Sequence, residues 1–145
     1  MLTRTATGVF RLNGQISAVA EELAKPAGLT AASWQVLGAV LREPMPVAGI
    51  ARTMGHTRQS VQRIADVLVG KGLAAYETNP AHRRAKILVP TDEGRAAVGL
   101  ITPGHADFAR RLAEELGTDA FAETVRVLER LWAALEVVPG TGTEG

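Results

Sequence analysis

Hydrophobic positions along the chain alternate with polar ones at helical spacing for most of its length. Near the start, Val9, Leu12, Ile16, Val19, Ala20 and Leu23 recur every three or four residues, and the pattern stops at Lys25-Pro26-Ala27-Gly28, a helix-ending cluster. Thr30 then suits the N-cap of a second helix, with Trp34, Leu37, Val40 and Leu41 as its buried stripe, closing before a corner at Pro44-Met45-Pro46. A short third helix fits Val47 to Met54 and ends at Gly55. Thr57 caps a fourth, which runs to Gly70-Lys71-Gly72. In that fourth helix Val61, Ile64, Ala65 and Leu68 share one face, which leaves Gln59, Gln62, Arg63 and Asp66 pointing outward.

The period then changes. Ala74 to Glu77 and Ala85 to Val89 read as two strands around the turn-rich segment Asn79 to Arg84, so a two-stranded hairpin with a basic tip is expected. Thr91-Asp92-Glu93-Gly94 starts another helix, and Thr102-Pro103-Gly104 is expected to kink or break it before a further stretch from about Asp107 to Leu116. The last helix starts at Thr118-Asp119. Its Phe121, Val125, Leu128, Trp132 and Leu135 step by 4, 3, 4 and 3, the period of a helix-pairing seam. The tail from Pro139 to Gly145 is expected to be disordered.

Charge sharpens this outline. Over 145 residues the net is only +1. Between Pro46 and Thr91, however, seven basic residues (Arg52, Arg58, Arg63, Lys71, Arg83, Arg84 and Lys86) face only Asp66 and Glu77, a local net of +5, while nine basic and thirteen acidic groups elsewhere give −4. Phosphate contacts need local rather than total positive charge, so a basic middle between acidic ends suits a DNA-binding module on a dimerising frame. Cysteine is absent, which excludes disulfides, thiolate metal sites and thiol chemistry. His56, His82 and His105 lie in three separate segments without ligand spacing, so no metal or other cofactor is expected. There is no glycine-rich phosphate loop, no Ser/His/Asp context and no paired carboxylates, so the chain is not expected to be an enzyme. No signal-peptide pattern opens the sequence and no run approaches the ~20 apolar residues of a membrane span, so a cytoplasmic protein is expected.

The order helix, glycine turn, helix with a polar outer face, basic hairpin is that of a winged helix-turn-helix. A helix fits the major groove, where arginine pairs with guanine and glutamine with adenine. Arg58, Gln59, Gln62 and Arg63 are of those types. Ser60 can donate to a base or phosphate, and free backbone N–H groups near Thr57 suit a phosphate oxygen. Arg83 and Arg84, with Lys86 behind them, can reach an adjacent minor groove. Taken alone, each group also suits a solvated surface, and a winged helix can serve as a protein-interaction module instead. Apolar stripes on both terminal helices leave more to bury than one small core hides, so Leu12, Ile16, Phe121, Val125, Leu128, Trp132 and Leu135 are candidates for a homodimer interface.

Across these residues the chain resembles the MarR family of bacterial transcription regulators. The resemblance rests on Leu29-Thr30-x-x-x-Trp34-x-x-Leu37, Val47-x-x-Ile50-Ala51-x-x-Met54-Gly55 and Thr57-x-x-x-Val61-x-Arg63-x-x-Asp66-x-Leu68-x-x-Lys71-Gly72-Leu73, followed by Asn79-Pro80-x-x-Arg83-Arg84-Ala85 and Thr91-x-x-Gly94. It implies one mainly α domain over 1–138, with a small β-hairpin wing. The winged helix-turn-helix would cover about 29–94, and dimerisation helices 4–25 and 95–137. It also implies a homodimeric repressor of double-stranded DNA, released by a small aromatic or phenolic ligand, for which Trp34 is a candidate contact although core packing suits it better. Two departures stand out: His82 occupies a position where the family commonly has an aspartate beside the wing arginines, and Pro90 replaces an apolar residue before Thr91.

Overall fold

Three of the helices begin under a threonine, Thr30, Thr57 or Thr91, whose hydroxyl oxygen accepts from the N–H three residues on. The computed structural model describes residues 1–138 and Gly140, so the tail expected to be disordered lies otherwise outside the described residues. Helix α1 (Leu2–Ala24) passes into a 3-10 turn at Lys25–Ala27 and stops at Gly28, whose φ of 67° is left-handed. Helix α2 (Ala31–Arg42) is capped by Thr30, whose hydroxyl accepts from the Ser33 N–H at 3.1 Å, while Glu21 accepts from the Ala31 N–H. After strand β1 (Met45–Pro46), helix α3 (Val47–Met54) ends on Gly55 at φ 65°, and helix α4 (Arg58–Gly70) starts under a Thr57 cap. Strands β2 (Ala74–Thr78) and β3 (Lys86–Pro90) follow, then helices α5 (Asp92–Leu116) and α6 (Thr118–Val137). The result is mainly helical with a small antiparallel sheet, as expected.

Backbone contacts divide the chain into two compact units, Met1–His105 and the part from Ala106 onward. The core lies in the first. Val36, Leu37 and Val40 of α2, Ile50 of α3, Val61, Ala65 and Leu68 of α4, Leu88 of β3 and Ile101 of α5 are essentially inaccessible to solvent. Trp34 packs half-buried against this cluster, its ring edge-on to His105 with centroids 5.6 Å apart. On α1, Phe10, Leu12 and Ile16 remain exposed. In the second unit, none of the α6 residues is buried: Val125, Leu128, Trp132 and Leu135 are exposed and Phe121 is half-buried.

Two expectations change. The sheet has three strands in the order β1-β3-β2, because Met45 and Pro46 pair with Leu88 and Ile87. A two-residue edge strand ending in proline carries no alternation to read, and proline is tolerated there because an edge needs fewer donors. The second change is in α5, where the break that Pro103 could have caused is absent, the helix being continuous from Asp92 to Leu116. Thr102, Pro103 and Gly104 are all exposed, as is Gly99, whose carbonyl loses its helical donor, so water can satisfy that oxygen. The Thr102 hydroxyl donates back to the Val98 carbonyl at 3.3 Å.

The start of α5 is locked to the end of α4. The Thr91 N–H donates to the Leu73 carbonyl, its hydroxyl donates to the Gly72 carbonyl at 2.7 Å, and the same oxygen accepts from the Gly94 N–H at 3.1 Å. Gly94 is required here because a Cβ would overlap the Leu73 carbonyl oxygen and crowd Leu37. Gly94→Ala should therefore lower unfolding stability by about 1–3 kcal/mol in a urea titration. Gly99→Ala, on the same helix with open space around it, should raise it by about 0.5–1 kcal/mol. Equal effects of the two substitutions would show that the close approach at Leu73 carries no weight.

Candidate nucleic-acid interface

Helix α4 is fixed in rotation by Val61, Ala65 and Leu68, which are buried, with Ile64 half-buried beside them. The opposite face carries Arg58, Gln59, Gln62, Arg63 and Asp66, which together line one open depression on the surface. This is the grouping the helical spacing predicts. At the helix start the Thr57 hydroxyl oxygen accepts from the Ser60 N–H at 3.1 Å. Its hydroxyl hydrogen and the N–H groups of the first turn stay at the surface, at the positive end of the helix dipole. Ser60 itself is half-buried.

The cations on this side are uncompensated. All five ion pairs among the described residues lie on α1 and its following turn, α5 or α6: Lys25 with Glu22, Arg110 with Asp107 and Glu114, Arg111 with Asp107, and Arg126 with Glu123. Arg58, Arg63, Arg83, Arg84 and Lys86 are exposed and join none of them. Arg83 and Arg84 sit in the loop between β2 and β3. That loop is shaped by the Asn79 side chain accepting from the Ala81 N–H and by the Ala85 N–H donating to the His82 carbonyl. Among the described residues no carboxylate pairs with Arg83 or Arg84. Lys86 opens β3 opposite Thr78.

Pro90 is accommodated at the last position of β3, opposite Ala74, and the chain resumes hydrogen bonding at once through the Thr91 N–H. Among the described residues no group of three or more His, Cys, Asp or Glu side chains is placed to hold a metal, and no helix is long and apolar enough to cross a membrane.

One feature of the face is invisible in the sequence. The Tyr76 hydroxyl, projecting from β2, donates to Asp66 Oδ1 at 2.6 Å, and Gln62 donates from Nε2 to both Asp66 Oδ1 at 3.0 Å and Tyr76 Oη at 2.8 Å. Helix and wing are thereby joined by a closed triangle of hydrogen bonds. The bonds from Tyr76 and then Gln62 hold the Asp66 carboxyl below the usual aspartate range. Burial, reinforced by the hydrogen bond to Asp66 and its charge, pushes the Tyr76 phenol up to about 12. Strand alternation could place Tyr76 on a face of the hairpin, but its partner lies ten positions away along the chain, on another element.

The MarR family model matches residues 27–85. An uncharacterized protein of Mycobacterium tuberculosis is 37% identical over 135 residues, covering 93% of this chain and 94% of the relative. Among solved structures, the transcriptional repressor CouR bound to a 23-mer DNA duplex is 30% identical, with a TM-score of 0.72 over 86% of this chain and 89% of that one. A mutant MarR from E. coli complexed with operator DNA is 20% identical and superposes with a TM-score of 0.80 over 90% and 94%. That last likeness concerns the fold.

The hydrogen-bonded triangle has a spectroscopic consequence, since Tyr76 is the one tyrosine of the chain. The folded state favours the neutral phenol. Its contribution to stability is therefore complete below the unfolded value near 10 and is lost as pH rises toward about 12. Absorbance at 295 nm should show little phenolate at pH 10 in the native protein and about half ionisation there in denaturant. The midpoint should fall in Asp66→Asn. Half ionisation of the native protein at pH 10 would mean that the phenol is not held.

Proposed function

Because the chain belongs to the MarR family of transcription regulators, we propose that it is a sequence-specific double-stranded-DNA-binding repressor that works as a homodimer and is released by a small aromatic or phenolic ligand. Members of this family regulate transcription and are not enzymes. The observation that carries the DNA-binding reading is the face of α4, where Arg58, Gln59 and Arg63 stand exposed and free of ion pairs while the opposite face is locked into the core. Such a helix presents forked and amide groups to base edges. Arg83 and Arg84 extend the basic surface into the wing, where a narrow minor groove concentrates negative potential. Thr57, Ser60 and Lys86 supply contacts to phosphate. CouR, 30% identical and bound to a 23-mer DNA duplex, supports duplex DNA as the partner.

Dimerisation is supported by the apolar residues that α1 and α6 each leave in solvent. Trp132 is 60% exposed, Leu135 63%, Phe10 76% and Ile16 65%, an amount of apolar surface that isolated monomers rarely present. A dimer is also what a near-palindromic site demands, one reading helix for each half-site. For the ligand, the half-buried indole of Trp34 beside His105 offers an aromatic surface on which a planar molecule would stack.

The proposal predicts tight, salt-steep binding to duplex DNA from upstream of the chain's own gene, measured by fluorescence anisotropy. Arg63→Ala should cost about 1–3 kcal/mol and relax base preference at one position, whereas Arg84→Ala should weaken all sequences and reduce the salt slope by about 1. If no genomic fragment binds more tightly than the non-specific level of ~10⁻⁴ to 10⁻⁶ M, the DNA reading fails and a protein partner for the winged helix takes its place. Light scattering should give twice the chain mass of 15.3 kDa. Trp132→Asp should shift the protein toward monomer and weaken DNA binding; a monomeric wild type bound to DNA would refute the dimer. A panel of benzoates and phenols added to the anisotropy assay should include a compound that releases the DNA, and release by none would remove the ligand from the proposal.

A further inference from the structure

Gln62 differs from Arg58, Gln59 and Arg63 beside it because the chain itself decides which end of its amide turns inward. Its Nε2 lies 3.0 Å from Asp66 Oδ1 and 2.8 Å from Tyr76 Oη, and those two oxygens are only 2.6 Å apart. They stand too close together for the widely divergent hydrogens of a planar amide to serve one each. A single hydrogen lying between them serves both, so Gln62 keeps its second hydrogen and the Oε1 acceptor for a ligand.

Toward Gln62 both neighbours can only accept. A carboxylate carries no hydrogen, and the one hydrogen of the Tyr76 hydroxyl goes to Asp66 Oδ1. Turning the amide over would set Oε1 against two acceptors and leave all three groups short of a partner, which is unfavourable. The nitrogen of Gln62 is therefore held on the side of Asp66 and Tyr76, and its oxygen on the other. The arrangement is anchored from behind, because the Tyr76 ring packs against the hydrophobic core.

In the major groove the order of donor and acceptor carries information. A glutamine reads adenine at two points, donating to N7 and accepting from the N6 amine, and the reversed base pair presents those two groups in the opposite order across the groove. An amide free to turn over can meet either order. We propose that Asp66 and Tyr76 fix the order in which Gln62 presents its donor and acceptor, so that it reads adenine on one strand only, with N7 toward the Asp66 side. Both are then positioning residues for sequence recognition, Tyr76 although it belongs to strand β2 and not to the reading helix. This inference rests on the DNA-binding reading above.

The test begins with selection from a randomised duplex pool by the wild type and Gln62→Ala. The substitution should erase an adenine preference at one base pair of each half-site and so identify the pair that Gln62 reads. In duplexes that differ only there, the wild type should bind A·T about 5- to 150-fold more tightly than T·A, as expected for a two-point contact. Replacing that adenine by 7-deazaadenine, or by purine, which lacks the N6 amine, should weaken binding in each case. Asp66→Asn releases the amide, because an asparagine can donate as well as accept and no longer claims the Tyr76 hydrogen. This variant should gain affinity for T·A relative to both A·T and G·C, bringing the two adenine-containing pairs near parity. The lost negative charge raises all affinities together and cancels in that ratio, and a merely structural defect produces no such gain.

No adenine preference lost in Gln62→Ala, indifference to either modified base, equal wild-type binding of A·T and T·A, or an unchanged ratio in Asp66→Asn would each overturn the proposal while leaving specific DNA binding intact. So would an effect of Asp66→Asn on that ratio in the Gln62→Ala background, since Asp66 would then be reading the base itself. A wild type that enriches no sequence would instead remove the DNA-binding reading, and this inference with it. An arm without DNA checks the clamp itself. In NMR spectra of the free protein one of the two Gln62 side-chain amide hydrogens should exchange more slowly than either of those of Gln59; equal exchange would sink the inference.

Discussion

The burial of Val61, Ala65 and Leu68 against α2, α3 and the sheet sets the rotation of α4 about its own axis, and the candidate interface depends on that rotation. A helix has one azimuth at which three residues spaced by four and three positions all leave solvent. Once it is taken, Arg58, Gln59, Gln62 and Arg63 have no orientation but outward. A small core suffices because its members come from every element of the winged unit. Ile50, Leu37, Leu88 and Ile101 meet the α4 stripe in one cluster with no solvent exposure to speak of, and a polar side chain placed among them would lack a partner.

A second constraint follows at the C-terminal end of the same helix. Gly72 turns the chain at φ 73°, Leu73 offers its carbonyl to the Thr91 N–H, and Gly94 passes close enough to that carbonyl that no side chain fits. The hairpin therefore leaves and returns at one fixed point. β1 adds a third strand on the far side of β3, so the central strand is paired on both edges at Ile87 and Leu88, while Arg83 and Arg84 lie in the loop before it. The Tyr76–Asp66 bond ties strand β2 to α4.

Charge is distributed to match. Ion pairs are spent on the helices outside the winged unit and on the turn after α1, where acidic and basic residues stand three or four apart. Exposed pairs of that kind contribute little to stability, but they neutralise the cations they engage. Among the described residues the arginines of α4 and the wing carry no such partners. The local net of +5 thus remains available although the whole chain is nearly neutral.

Helix boundaries, the caps at Thr30 and Thr57, the glycine turns and the outward face of α4 were legible along the chain because each depends on neighbours within four residues. So was the family, whose motif depends on their order. Strand β1 was not, since two residues carry no period, and the unbroken α5 was not, since whether Pro103 ends a helix depends on whether water can reach the carbonyl it frees. The sequence by itself determined which residues form the exposed basic and amide face of α4: their types, their shared helical face and their local charge are all short-range properties. Only the tertiary structure decided in what form Gln62 and Asp66 stand on that face, each hydrogen-bonded to Tyr76. That form depends on a hydroxyl from another element brought within hydrogen-bonding distance, and distance across the fold is not written in spacing along the chain.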